Sequence, residues 1–190
     1  MGSQKNFEVL THIRKFFPDR DVEFFSWDAG PLSAVAPNFC VVRLAPSKES
    51  DAWIYLTCGV SSLGQNEREL CEFFILSPTE TPIHVESLAM LSYLAIDNSE
   101  KLQIGKSVAI GRPWIENSSL DHFLISLPYP FGPDLEWCEL SNSQSVRFLW
   151  LLPIWSKESA FLYDHGVEAL EGKLDKEGID FLDVTRKSVV

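Results

Sequence analysis

The run Phe148-Leu149-Trp150-Leu151-Leu152 is apolar at every position, whichever alternate set of residues is followed. A strand of this kind has to be covered on both faces, so the run demands a sheet held between two layers. Pro153 follows at once and cannot donate to a ladder, which predicts that pairing ends there. Ser156 is placed to cap a helix, its hydroxyl accepting an orphan amide of the first turn, and Gly178 suits the left-handed position just past the helix end. The spacing predicts one amphipathic helix between them, with Ala160, Tyr163, Val167, Leu170 and Leu174 as its core stripe. A second stripe, Asp164, Glu168, Glu171 and Asp175, is wholly acidic, and acids four apart repel by about 0.2–0.5 kcal/mol per pair. Lys173 and Lys176 lie on other faces. The stripe is either a solvated face or a docking face for a basic partner, with Phe161 beside it as an aromatic anchor.

Upstream, periodicity predicts a helix over 4–17 with Val9, Leu10, Ile13, Phe16 and Phe17 inward, ended by Pro18. Strands are expected at 22–27, 39–45, 53–60 and 72–76, with a loop over Asp28–Pro37 because of Gly30, Pro31 and Pro37. Thr81 caps a second helix with Pro82 at its first position, running to about Ile96 and carrying Val85, Leu88, Leu91 and Ala95. Short strands follow near 108–110, 122–127, 135–140 and 146–152. No repeat or linker divides the 190 residues, so one domain over 1–190 is expected. The element order predicts an α+β fold with a mixed, largely antiparallel sheet packed with about three helices.

No chemical motif in the sequence is complete. Gly105-Lys106-Ser107 resembles the end of a phosphate loop, but Glu100 stands where that loop needs a glycine, and a turn is the expected role. Gly59-Val60-Ser61-Ser62-Leu63-Gly64 has its second glycine one residue too late for a nucleophile elbow. His12, His84, His122 and His165 are dispersed, with no pair at metal-binding spacing, so no metal and no cofactor is expected. Cys40, Cys58, Cys71 and Cys138 lack zinc spacing and read as reduced, buried thiols, with a disulfide as the alternative.

Charge narrows the partners. Sixteen basic against 27 acidic residues give a net charge of −11, which repels nucleic acid and anionic membranes and attracts cationic proteins. No apolar run approaches the roughly 18 residues of a membrane span. The first residues carry no secretion pattern, so a cytoplasmic location is expected.

Several motifs in combination resemble the suppressor-of-fused family. They are Phe148-Leu149-Trp150-Leu151-Leu152-Pro153-Ile154, Glu158-x-x-Phe161 with Gly166, Gly178-Ile179-Asp180…Asp183…Arg186-x-Ser188-Val189, Gly105-Lys106-Ser107-Val108, Gly111-x-Pro113-Trp114 and Leu124-x-Ser126-x-Pro128-Tyr129-Pro130. The likeness covers most of the chain from about Val22 and is weakest in residues 1–20. It implies a suppressor-of-fused-like domain that binds protein and is not an enzyme. Animal members of the family sequester a transcription factor, partly by strand addition. The short bacterial members look like immunity proteins or antitoxins of polymorphic toxin systems, and this chain is closer to them. The expected partner is then a cationic protein such as a nuclease-type toxin, bound by occlusion, with the chain itself a monomer or weak homodimer. Two surfaces are candidates. One is Phe161 with Asp164, Glu168, Glu171 and Asp175. The other is the loop around Asp134, Glu136 and Trp137, although inward packing of Trp137 competes with that role. A hydrolase or transferase built on dispersed carboxylates, and a scaffold for an endogenous regulator, are the alternatives.

Overall fold

A computed structural model of the chain describes residues 2–63, 70–97 and 102–190. Helix α1 (Gly2–Phe16) precedes β1 (Val22–Ser26), the short α2 (Pro31–Val35), β2 (Cys40–Leu44), β3 (Trp53–Cys58) and β4 (Leu70–Ser77). Helix α3 (Ile83–Asp97) leads to β5 (Ser107–Ala109), β6 (His122–Ser126), the single turn α4 (Pro133–Glu136), β7 (Trp137–Glu139) and β8 (Ser145–Ile154). Helices α5 (Ser156–His165) and α6 (Val167–Glu177) complete the order before an extended tail.

The described strands form one eight-stranded sheet in the order β1-β2-β3-β4-β8-β6-β5, with β7 also paired to β8. The pairs β1–β2, β2–β3 and β3–β4 are antiparallel, as are β5–β6, β6–β8 and β7–β8. Only β4–β8 is parallel, so the sheet is two antiparallel halves joined along a central seam. The fully apolar run of β8 lies at that seam. Alternate residues feed the two layers: Trp150 and Leu152 pack with Val9, Ile13, Leu162, Leu170 and Leu174 on one face. Leu149 and Leu151 pack with Val85, Leu88, Leu91 and Trp114 on the other. Both faces of β8 are thus closed, as its composition requires, and each fully buried Leu or Ile contributes about 1.5–3 kcal/mol.

The structure corrects several local expectations. Pairing does not end at Pro153, which stays in register with Phe123 of β6. Its carbonyl turns to the opposite side, where the pairing with β4 has stopped at Phe74 and Trp150, and accepts from Arg186 Nη2 at 3.0 Å. The missing N–H faces that same side, so no ladder bond is lost. The expected long helix is two helices, because Gly166 stands at φ 86, ψ 167 between them. That break shifts the helical phase: Ala160 and Tyr163 are exposed, Tyr163 at 91%, while Leu162 takes the core position. Trp155, not Ser156, is the cap residue, and its N–H donates to Glu158 Oε2 at 2.9 Å. Finally, the expected loop contains α2, whose Pro31 occupies the first helical turn, and the strand expected from Leu135 begins only at Trp137, after α4. Gly178 is left-handed as predicted, at φ 57.

Candidate protein-binding site

The tail is anchored before any surface can be presented. Glu158 has no exposed surface and receives both Arg186 guanidinium nitrogens, Nη1 on Oε1 and Nη2 on Oε2, each at 2.8 Å. The same carboxylate accepts the amides of Trp155 at 2.9 Å and Val189 at 3.0 Å. Trp155 Nε1 in turn donates to the Arg186 carbonyl at 3.1 Å. Burial pushes the Glu158 carboxyl up, but Arg186 and the two amides outweigh it and hold it below the ordinary 4.5. Residues that carry the sequence resemblance at opposite ends of the last segment therefore meet in one buried, bidentate ion pair.

The acidic stripe divides into two kinds of residue. Asp164, Glu168 and Asp175 are exposed, and among the described residues no ion pair joins any of them to a cation. Glu171 is half-buried and accepts from Ser126 Oγ at 3.0 Å and Tyr129 Oη at 3.4 Å, so it ties α6 to the sheet. Phe161 is not a bare anchor: it packs on the core, stacks on His165 at 4.2 Å and lies under the Lys173 ammonium at 5.2 Å.

The second candidate surface adjoins the first. Tyr129 is 60% exposed, and its hydroxyl is raised by burial, then by Glu171, with Asp175 and Glu136 adding to the effect. The phenol thus sits where the α6 acids and the α4 acid converge, and no periodic pattern in the sequence marks it. Trp137 does not pack inward: it is 44% exposed and lies beneath the Arg147 guanidinium at 4.8 Å. Glu136 holds that guanidinium through Nε at 2.7 Å and Nη2 at 2.6 Å. Asp134 is exposed and, with Trp137 and Pro133, forms one wall of a groove of about 770 Å³. The opposite wall comes from α1, including Phe7, which is 65% exposed, and Glu8. Gln4 and Ser141 both hydrogen-bond the Glu8 carboxylate and lower its pKa.

The motifs set aside on sequence grounds have structural roles. The amides of Gly59, Val60 and Ser61 close around the fully buried Glu72 carboxylate at 2.9–3.2 Å, with Ser61 Oγ at 2.7 Å and Thr57 Oγ1 at 2.6 Å. Ser61 is a donor to a fixed acid there. Gly105, at φ 76, opens the turn before β5. Gly64 and Glu100 lie outside the described residues. His12 Nε2 bonds the Leu135 carbonyl, His122 pairs with Asp121, and His84 is buried between Tyr55 and Trp114, with burial and Arg112 pushing it down to about 3. Among the described residues no group of three His, Cys, Asp or Glu is placed to hold a metal ion, and no helix is long and apolar enough to cross a membrane.

A two-layered cover on a mixed sheet, a clamped tail and an acidic, aromatic flank define a class that the comparisons with known proteins identify. The model of the suppressor-of-fused protein family matches residues 34–187, and the chain belongs to that family. A suppressor-of-fused homologue of Neisseria gonorrhoeae FA 1090 has the same structure, with a TM-score of 0.89 at 46% identity over 100% of this chain and 98% of that one. At 11% identity the fold is shared with the Sufu–Fu complex, TM-score 0.72 over 100% of this chain and 93% of that one. It is shared too with Drosophila Suppressor of Fused, TM-score 0.63, over 98% of this chain and 51% of that one. Immunity protein YqcF of Bacillus subtilis (strain 168) is 33% identical over 75 residues, which are 40% of this chain and 38% of that protein. The match therefore spans well under half of that relative's length.

Proposed function

We propose that this chain is a non-catalytic, immunity-type protein that acts in the cytoplasm and neutralises a cationic toxin by covering its basic face. The observation that carries the reading is the set of exposed acids that have no cationic partner among the described residues, Asp164, Glu168 and Asp175, beside the exposed ring of Tyr129 on a chain of net charge −11. A field of this sign steers a basic partner and raises the association rate, while a few buried aromatic anchors set the off-rate. Tyr129 and Trp137 are the anchors, and Asp134 and Glu136 extend the acidic flank toward the groove. A nuclease-type toxin fits, because a protein that cuts nucleic acid needs a basic face to bind its substrate. The relative named as an immunity protein supports the same reading over its matched portion.

The experiment is co-expression of this chain with the product of the neighbouring reading frame. A stable complex on size exclusion together with relief of growth arrest is the expected result. Absence of both, or turnover of a small substrate by the chain alone, would overturn the proposal. Glu168→Lys with Asp175→Lys tests the surface, because among the described residues no ion pair holds either side chain. The pair should slow association about tenfold or more at low salt while the fold is kept. Glu171 is unsuited to that test, since its reversal would also break the contacts to Ser126 and Tyr129.

A further inference from the structure

We propose that Cys40 and Cys58 are a disulfide-forming pair, a site of reversible oxidation by peroxides. Strand register carries the inference: Cys40 of β2 stands directly opposite Cys58 of β3 in an antiparallel pair. Opposite residues in such a pair project from the same face, with Cα atoms about 4.5–5.5 Å apart. That spacing falls inside the window of about 4.4–6.8 Å across which a disulfide closes. Both side chains lie on the α1 side of the sheet, Cys58 within the core and Cys40 packed against it.

The two sulfurs differ in the way a nucleophile and a resolving thiol must differ. Cys40 is half-buried, opposite the exposed Ser26 of β1, and is the more accessible of the two residues. Cys58 has no exposed surface and donates its S–H to the Asn6 carbonyl of α1 at 3.5 Å. Contact with Cys58 lowers the Cys40 thiol, while contact with Cys40, and then burial, raises Cys58. Cys40 is therefore the sulfur that ionises first. Its thiolate attacks one peroxide oxygen, the O–O bond breaks, and the departing hydroxide takes a proton to become water, leaving a sulfenic acid. The Cys58 sulfur then attacks the Cys40 sulfur and displaces the hydroxyl, which leaves as a second water with the Cys58 proton. Two thiols lose two electrons and two protons, and one peroxide becomes two waters. Cys138, buried and raised to about 11 by its burial, is the competing sulfur within reach of Cys58's field.

The test uses the full chain treated with a small excess of hydrogen peroxide, alkylated without reductant and mapped as peptides. Two of the four thiols should be lost, the segment holding Cys40 should be joined to the segment holding Cys58, and dithiothreitol should restore all four thiols. Cys58→Ser should leave Cys40 as a sulfenic acid that a dimedone probe traps, with no joined peptide. Four surviving thiols, a Cys58–Cys138 link, or oxygen on Cys40 without a link in the wild-type chain would each overturn the proposal. The wild-type peptide map decides the matter even if the variant does not fold.

Discussion

Arg186→Ala would leave the Glu158 carboxylate buried with two amide donors and no cation. Breaking a buried pair from one side costs about 3–5 kcal/mol, and urea unfolding should read a loss of that size. Replacing both residues with apolar ones of similar volume should recover much of it, since the desolvation of both charges is then avoided. The acid dependence has a definite sign. The folded Glu158 titrates below the ordinary 4.5, so the pair's stabilisation is complete above that value and drains as pH falls through the lowered one. His84 acts in a higher window. Its folded value is about 3 against an ordinary 6.5, so below pH 6.5 the unfolded chain takes up a proton that the folded chain refuses. Stability should fall by up to about 1.4 kcal/mol per pH unit through that range, and His84→Phe should flatten the slope in unfolding curves at pH 4.5–6.5. Neither the ion pair nor the buried imidazole is legible in the sequence: the rest of α5 and all of α6 separate Glu158 from Arg186, and a histidine in the first turn of a helix carries no mark of burial.

Among elements, β2, β3, β6 and β8 were legible because their composition and punctuation agree, and each begins or ends within a residue or two of the reading, apart from Pro153. The 3.6-residue pattern runs straight through Gly166 and predicts one helix after β8, but the φ and ψ of that glycine interrupt it. The acidic stripe is therefore discontinuous: Glu168, Glu171 and Asp175 lie on α6 and Asp164 on α5, and Glu171 is held to the sheet by Ser126 and Tyr129. Paired glycine substitutions test this directly. At Gly166 an added Cβ meets nothing within 4 Å, so Gly166→Ala carries only the backbone cost of a region that is essentially glycine's own, about 1–3 kcal/mol. Gly172 lies inside α6 with equally open space, and Gly172→Ala should stabilise by about 0.4–1 kcal/mol. Thermal unfolding of the two variants should shift in opposite directions.

For the whole molecule, net charge was the most transferable reading and the partner surface the least. A composition of −11 is known before any folding, but the meeting of Tyr129, Glu136 and Asp175 depends on where α4 and α6 end up relative to β6. If the proposed complex forms, its association rate should fall steeply between low and physiological ionic strength while its dissociation rate changes little, measured by stopped-flow or surface binding. The seam between the two half-sheets has a consequence for synthesis. Leu70 leaves the ribosome long before its partner Val146, and until β8 arrives the nascent β1–β4 meander ends in an open margin made of Phe73 and Phe74. Such a margin invites pairing with any other emerging chain. The middle of this protein therefore closes only once β8 has emerged, and a translation arrest before Ser145 would strand an aggregation-prone half-product in the cell.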